Sequence, residues 1–522
     1  MGSFRYYFRN DPFYKKFMKF QFLIIIYIAP IFLLGQSKHD YVWKFGYQYD
    51  TIPEMHRGVY IDFNDNVVNS FYEPTPTSIL NYYAGISDSI GIFQFYTNGC
   101  YVLKSNGEIM ENGDSLNPGV IWDLYCGNNE DPEYPLIDFA TILPYPDHPG
   151  LYYLFHGALT KNPWPEDPDL RADKFYYSLI DMNQNDGLGK VVEKNVLLLE
   201  DRFDNSITAV KHKNNKDWWI VVSKYRNDTY FTYLLTTTGI EGPFTQEIGD
   251  SLVYNSGQSV FSPDGKKYAR YNAYDDLMLF DFDRETGLLS NYQHYAIEDS
   301  AIWAVGAAFS PNSRYLYLSS TFDVYQLDTE APDIAASRQH IAHYDGYVDF
   351  NPTAFYRMQL GPDCRIYMSA TGGSYCCMHV INYPNRPGTA CELVQHDIEL
   401  PYPVGSFVYF PNYRLGEEEY PCDSTIVLPV TGVQELHQIN NRNLKIYPNP
   451  ATDELQVEIA PENMARVVEV YNMSGVKIWE GMVSENQTQV AIPVRSFVNS
   501  IYLLVIKRNG AVQSSGTFTV IR

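Results

Sequence analysis

The sequence lacks every short motif that carries a known catalytic mechanism. It contains no G-x-S-x-G elbow, no H-E-x-x-H, no glycine-rich phosphate loop and no C-x-x-C pair. Its eleven histidines and seven cysteines show no zinc-ligand spacing. No catalytic, cofactor-binding or metal-ligating residue is therefore assigned, and no cofactor is expected. Triads assembled from distant residues stay open, because such groups meet in space and not in sequence.

Positive charge is scarce. The chain has 38 Lys and Arg against 62 Asp and Glu, a formal net charge of -24. A nucleic-acid ligand needs a basic surface that releases counterions, so nucleic acid is excluded as a partner. An anionic membrane surface is disfavoured for the same reason. We interpret the acidic side chains as keeping the protein soluble, the alternative being an acidic groove for cations.

Cysteine is sparse, with seven residues in 522. If the chain folds in an oxidising compartment, Cys100 with Cys126 is one local pairing. Cys376 or Cys377 with Cys391 is another, because adjacent strand residues point to opposite faces and only one of the two can meet a given partner. The odd number leaves at least one thiol unpaired or intermolecular.

One hydrophobic run stands out, at residues 20–34. Lys15, Lys16 and Lys19 precede it and Gly35 follows, which predicts a signal peptide at 1–35, with Met18 an alternative start. A transmembrane anchor is the competing interpretation, but the run is short and no basic stop follows it. No later segment approaches spanning length, so no transmembrane span is expected in the mature chain.

Aromatic residues are abundant at 16%, with 45 Tyr, and they favour sheet. A short sequence pattern recurs along the chain. It consists of an apolar residue, a turn and a tyrosine-rich strand. Its clearest copies are Phe261-Ser-Pro-Asp-Gly, Phe309-Ser-Pro-Asn-Ser and Leu360-Gly-Pro-Asp-Cys, and weaker copies begin at Ile86, Leu143, Val210 and Phe410. Positions 210, 261, 309, 360 and 410 are 48 to 51 residues apart. Pro-Asp and Asp-Gly predict tight turns between antiparallel strands.

About fifty residues give room for four short strands, which is one blade of a β-propeller. We therefore predict an all-β fold with a propeller over residues 36–416, of seven blades, with six or eight as alternatives. Early strands near 58–63 and 67–72 would join the fragment at Phe410 to close the ring, which leaves no open sheet edge. An irregular pair of β-sandwiches is the competing architecture.

Residues 417–443 are predicted to be a linker, and 444–522 a small immunoglobulin-like β-sandwich, because alternating strands follow one another between turn signals. The second segment carries the following landmarks: Tyr447-Pro448-Asn449-Pro450, Asp453, Tyr471-Asn472, Gly475 and Tyr502. It resembles the type A sorting domain of the Bacteroidota type IX secretion system. The resemblance implies recognition by that secretion machinery and a location outside the cell or on its surface, by anchoring or by release. An ordinary accessory domain is the alternative.

The body is similar to that of uncharacterised Bacteroidota surface proteins that carry the same tail. The matching stretches are Phe95-Tyr-Thr-Asn-Gly-Cys-Tyr, Met110-Glu-Asn-Gly-Asp, Met378-His-Val-Ile-Asn-Tyr-Pro-Asn and Phe410-Pro-Asn-Tyr-Arg-Leu-Gly. This second resemblance supports the fold and the location but implies no activity.

Three groups of residues resemble parts of known binding sites. The run from Asp181 to Gly189 alternates oxygens as calcium loops do, but Val192 stands where the bidentate glutamate should be, so a hairpin loop is favoured. Asp281 and Asp283 would share one strand face, which is typical of a solvated strand end as well as of a cation site. Trp218, Trp219 and Trp303 could line a sugar-binding face, although packing between strands explains most aromatics.

The sequence is compatible with two functional hypotheses. The favoured one is a non-catalytic surface protein that binds a protein or glycan. The alternative is a propeller hydrolase or lyase acting on extracellular polysaccharide. Converging carboxylates or histidines at the mouth of the central channel would favour the enzyme, and apolar or singly placed polar groups would favour the binder.

Overall fold

The computed structural model describes residues 37–46, 57–64, 68–74, 79, 82–127, 132–136, 139–160, 171–251, 257–297, 304–349, 351–371, 375–416, 444–459, 466–472, 477–484, 486–508 and 511–521. The predicted signal peptide, the whole of the predicted linker and Trp303 lie outside these ranges.

The first part of the body forms three antiparallel sheets from consecutive strands. The first sheet has β1 (Val42–Phe45), β2 (Arg57–Asp62) and β3 (Asn69–Pro74), and the second has β4 (Ala84–Ser87), β5 (Phe93–Thr97) and β6 (Val102–Lys104). The third has β7 (Ala140–Pro144), β8 (Leu151–Ala158), β9 (Lys174–Asp181) and β10 (Lys190–Glu200). A short helix, α1 (Val120–Tyr125), lies between the second and third sheets.

Four further sheets each contain four antiparallel strands in chain order. The fourth has β11 (Phe203–Lys211), β12 (Trp218–Lys224), β13 (Thr229–Thr236) and β14 (Gly239–Glu247), and the fifth has β15 (Gly257–Phe261), β16 (Lys267–Asn272), β17 (Asp276–Asp283) and β18 (Leu288–Tyr295). The sixth has β19 (Val305–Phe309), β20 (Tyr315–Ser320), β21 (Asp323–Asp328) and β22 (Gln339–His343), and the seventh has β23 (Phe355–Leu360), β24 (Ile366–Ala370), β25 (Tyr375–Ile381) and β26 (Leu393–Val404). Single-turn 3-10 helices occur at Asn185–Gly187 and Gly388–Cys391.

The recurring sequence pattern forms the same turn in successive sheets, between the first and second strands. After β15, the Ser262 N–H donates to the Lys267 carbonyl (2.9 Å) and the Gly265 N–H to the Ser262 carbonyl (2.7 Å). Ser310 begins the matching turn after β19, and Gly361 begins it after β23. Pro-Asp and Pro-Asn favour this geometry, so the local sequence determines where each first strand ends.

The first strand of each sheet contacts the first strand of the next, from β1 through β4, β7, β11, β15 and β19 to β23. Residues 405–414 then return to the first sheet. The Gly405 N–H donates to the Gly46 carbonyl (3.0 Å), and the Gly46 N–H donates to Ser406 Oγ (3.0 Å). At the other end of the segment, the buried Arg414 guanidinium forms an ion pair with Asp40.

The seventh sheet also contacts the first. The rings of Trp43 and Tyr367 pack edge to face with centroids 5.1 Å apart, and both side chains are fully buried. Gln359 holds the returning segment on its other side, because its Oε1 accepts from the Phe410 N–H (3.0 Å). The two ends of the body are thereby joined across a continuous aromatic core.

The C-terminal unit consists of two antiparallel sheets. One contains β27 (Lys445–Tyr447), β28 (Glu454–Glu458) and β31 (Gln489–Pro493), and the other contains β29 (Arg466–Asn472), β30 (Lys477–Val483), β32 (Ser500–Arg508) and β33 (Ala511–Val520). Leu455 and Ile492 of the first sheet share a buried cluster with Val470, Leu504 and Phe518 of the second. The unit therefore has a hydrophobic core of its own.

The cysteines follow the sequence-based expectation in one case and contradict it in the other. Cys100 and Cys126 form a disulfide, and Cys364 is disulfide-bonded as well. The expected bond from Cys376 or Cys377 to Cys391 does not form, because all three are free thiols. The physical reason is that Cys391 is buried in a hydrophobic cluster with Tyr317, whereas Cys377 faces His396.

Candidate functional site

A central cavity of about 70 Å³ lies where the first strands converge. Its walls come from β7, β11, β15, β19 and β23, and residues 409–414 of the returning segment form one side. Among the described lining residues, Asp40 is the only carboxylate and it is paired with Arg414, while no histidine is present. Thr141, Thr208, Gln359 and Asn412 supply singly placed polar groups between apolar ones. In the part of the cavity wall that the structure describes, carboxylates and histidines do not converge.

A denser set of titratable side chains lies on the last strands of the sixth sheet. His340 Nε2 is 2.8 Å from Asp323 Oδ1, and His343 Nδ1 is 2.9 Å from the same oxygen. We call these three residues the Asp323 cluster. The side chains of His340 and His343 are 52% and 67% exposed, and that of Asp323 is 17% exposed, so solvent reaches the site directly. Partial burial acts to raise the pKa of Asp323, but hydrogen bonds from His343 and His340 lower it overall.

A β-bulge brings the two histidines together. In a regular strand, residues three apart point to opposite faces. Asp323 is paired with His343, and the next pairs are Val324 with Ala342 and Tyr325 with His340, so Ile341 is the extra residue. Because Asp323 and Tyr325 share a face, their partners His343 and His340 share it too. The bulge thus re-aims His340 towards Asp323, as bulges at functional sites do.

A second set, the His396 triad, lies beside the Asp323 cluster on the seventh sheet. His396 Nδ1 is 3.2 Å from Cys377 Sγ, and its Nε2 is 3.1 Å from Asp345 Oδ2. The two sets are connected by Gln395, whose Nε2 donates to the His343 carbonyl (2.9 Å) and whose Oε1 accepts from the Asp345 N–H (3.2 Å). The stretch from His343 to Asp345 therefore belongs to both sites.

The His396 triad has the connectivity of a thiol, a base and an orienting carboxylate. Its electrostatics oppose nucleophilic chemistry. Burial, followed by the charges of Asp349, Asp345 and Glu399, raises the pKa of Cys377 to about 12. A thiol with such a pKa stays protonated near neutrality, whereas the thiolate is the nucleophile. We therefore describe the Cys377–His396 contact as a hydrogen bond between a protonated thiol and an imidazole.

The residues singled out by sequence lie apart from both sets. Asp181 caps the turn after β9, accepting at Oδ1 from the Asn183 N–H (2.9 Å) and at Oδ2 from Gln184 Nε2 (3.0 Å). Asp281 Oδ2 accepts from Asn291 Nδ2 (3.0 Å), while Asp283 Oδ1 accepts from the Glu285 N–H (2.9 Å).

The two tryptophans that the structure describes are part of the hydrophobic core. Trp218 and Trp219 are 2% and 4% exposed and pack within the cores of the fourth sheet. Neither is available to a sugar on the surface.

Sequence reasoning missed the Asp323 cluster. The spacing His340-x-x-His343 was visible, but it indicates opposite faces in any strand without a bulge. For His396 a weak signal existed. It occupies a bulge with a left-handed backbone (φ +58°), where Asn195 and Asn291 stand in the third and fifth sheets. Asparagine and histidine both tolerate that conformation, and histidine takes the position in the seventh sheet that asparagine takes in the other two.

Residues 445–520 match the family model described as "Secretion system C-terminal sorting domain". The match confirms the assignment of the C-terminal unit to secretion sorting and indicates a protein delivered to the cell surface or the extracellular space. Within the described part of the chain, no helix has the length and apolar character needed to cross a bilayer. A search of curated proteins gives no match for the chain.

Solved structures of low sequence identity overlap with the body. A candidate 6-phosphogluconolactonase from Bacteroides uniformis is 12% identical, with a TM-score of 0.41 over 70% of this chain and 97% of its own. A functionally unknown protein from Desulfotomaculum acetoxidans is 10% identical, with a TM-score of 0.37 over 68% and 96%. The Dos1 propeller is 12% identical, with a TM-score of 0.34 over 63% and 86%. Likenesses this loose transfer neither an activity nor a binding site.

Proposed function

We propose that this protein is a non-catalytic binding or adhesion protein of the cell surface or the extracellular space, exported through the type IX secretion system of a Bacteroidota bacterium. Residues 1–35 are its signal peptide, 36–416 its binding body, 417–443 a linker and 444–522 a type A sorting domain with an immunoglobulin-like sandwich. The ligand is a protein or glycan.

The single observation that carries the proposal is the sorting-domain match at residues 445–520. It coincides with a unit of two sheets that encloses its own core. A separately folded tail suits a sorting signal, since the secretion machinery must recognise it whatever cargo precedes it.

The body is proposed to be a seven-bladed propeller. Support comes from seven consecutive sheets in the described residues and from the chain of contacts between their first strands. In this arrangement residues 405–411 are the innermost strand of the blade that contains β1, β2 and β3. Their hydrogen bonds to Gly46 support that role, because a strand from the far end of the chain then covers the open edge of the first sheet.

Binding is preferred over catalysis because of the central cavity. Its polar groups are singly placed, and Asp40, the one carboxylate among its described lining residues, is neutralised by Arg414. A polysaccharide hydrolase needs a pair of carboxylates flanking the scissile bond. The Cys377 thiol, held protonated beside His396, offers no substitute nucleophile.

Deletion of residues 445–520 tests the export half of the proposal. We expect the deletion variant to accumulate inside the cell envelope, whereas the intact protein reaches the surface or the medium, as measured by surface proteolysis and immunoblotting. As the matched control, a periplasmic reporter fused to residues 417–522 should be carried outward. Equal amounts of the body outside the cell with and without the tail would refute the assignment.

The same exported material tests the absence of catalysis. Incubation with bacterial and host polysaccharides should create no new reducing ends and no unsaturated sugars, while retention on an immobilised glycan or protein should be saturable. Release of oligosaccharides would instead support the hydrolase or lyase.

A further inference from the structure

We propose that Asp323, His340 and His343 form a surface site for a divalent transition-metal ion of the zinc class. The site goes beyond the proposed export and binding role. Its donors are two imidazole nitrogens and one carboxylate oxygen, all lying within 4.8 Å of one another. Two imidazoles and a carboxylate are an established ligand set for zinc with a coordination position left open.

The distances fit an ion after a small adjustment. Zinc binds imidazole nitrogen and carboxylate oxygen at about 2.0–2.2 Å, so tetrahedral donors lie roughly 3.3 Å apart. The two distances to Asp323 Oδ1 are 2.8 and 2.9 Å. Rotation of the exposed histidine side chains can open each by a few tenths of an ångström.

The backbone holds the donors in place. Asp323 opens β21, His343 is paired with it directly across the ladder, and His340 is brought to the same face by the bulge at Ile341. The ring of Tyr325 packs edge to face against His340, with centroids 5.7 Å apart. Sites built on strands are better defined than sites built on loops, so the ion would meet a preorganised half-shell.

The ligand set selects the class of ion. Imidazole suits zinc, copper, nickel and iron, whereas calcium and magnesium prefer oxygen ligands in larger number. Because His340 and His343 are more than half exposed, the remaining positions face solvent. Water or a donor from another molecule can fill them.

The test is a titration of the exported protein with Zn²⁺ against a chromophoric chelator near neutral pH. We expect one ion bound by this cluster, with affinity lowered about tenfold or more in His340→Ala, His343→Ala and Asp323→Asn, since even loss of groups supporting a metal ligand costs 10–100-fold. Excess Ca²⁺ or Mg²⁺ should leave the titration unchanged. Cu²⁺ in place of Zn²⁺ should give electron paramagnetic resonance hyperfine structure from two nitrogens.

Two control variants locate the ion. His294→Ala removes another exposed histidine that lies 3.6 Å from a single carboxylate, Asp250, and should keep the affinity. His396→Asn removes the imidazole of the neighbouring triad and should keep it too. Equal affinity in His340→Ala, His343→Ala and the unmodified protein would overturn the proposal. Loss confined to His396→Asn would also overturn it, by placing the ion at the triad.

Discussion

At the scale of single residues, burial decides the protonation of the histidines inside the body. His156 is fully buried between Asn117 Oδ1 (2.6 Å) and Ser178 Oγ (2.9 Å). Burial lowers its pKa from the usual 6.5 to about 3. Burial, reinforced by His396, likewise lowers the pKa of His379 to about 4. Both side chains are neutral in the folded protein at pH values where an unfolded chain would protonate them.

This difference predicts acid sensitivity. As the pH falls from 6.5 towards about 3, the unfolded chain takes up a proton at His156 that the folded protein refuses, so folding stability declines over that window. Each unit of pKa difference corresponds to about 1.4 kcal/mol, so the contribution reaches several kcal/mol. In urea unfolding at stepped pH, His156→Gln should flatten the decline. The exposed control His294→Gln should retain the full slope, and identical slopes for both variants would contradict the explanation.

At the scale of elements, a β-bulge recurs where the third and fourth strands of a sheet pair. The third, fifth and seventh sheets each contain a bulge in the fourth strand, with Asn195, Asn291 and His396 in the left-handed conformation. The sixth sheet uses a different bulge, at Ile341. The bulges position the histidines of both the Asp323 cluster and the His396 triad. Each bulge changes the face of the sheet to which a side chain points.

His396 therefore predicts a stability contrast. His396→Asn should change the free energy of unfolding by no more than about 1 kcal/mol, because Asn adopts positive φ readily and the lost hydrogen bonds have a small net contribution. His396→Val should cost about 1–3 kcal/mol, since a β-branched residue is strained there. Asn291→Val is the matched change in the fifth sheet and should show a similar loss by urea unfolding. Equal stability of the Val and Asn variants would disprove the strain argument.

These elements also mark how far the sequence predicts the structure. The turns at Ser262, Ser310 and Gly361 follow from local chemistry, and their spacing predicts consecutive sheets of similar length. The Cys100–Cys126 bond could also be predicted from the sequence, because the two cysteines are close in the chain. The Asp323 cluster could not be predicted, because one extra residue in β22 reverses the face of the sheet on which His340 lies. The expected bond to Cys391 failed because burial against Tyr317, a long-range contact, outweighed proximity in sequence.

At the scale of the whole molecule, the body is joined by contacts between its two ends. Gly46 and Ser406 are 360 positions apart, and Asp40 and Arg414 are 374 apart. The Asp40 and Arg414 side chains are 3% and 4% exposed. Removing one partner of such a pair leaves the other charge buried and unpaired.

Arg414→Ala should accordingly lower the free energy of unfolding by about 3–5 kcal/mol. Lys213→Ala breaks an ion pair with Glu285 whose side chains are 65% and 62% exposed, and it should cost at most about 1 kcal/mol. Chemical denaturation of both variants beside the unmodified protein provides the measurement. Losses of the same size in the two variants would mean that residues 405–414 do not secure the body.

The junction between Asp40 and Arg414 has a temporal consequence during biosynthesis. A ribosome that has translated the first four hundred codons has not yet supplied the guanidinium that neutralises Asp40, nor Gly405 and Ser406, which hydrogen-bond to Gly46. Closure of the body at this junction must therefore wait until residues 405–414 have been synthesised.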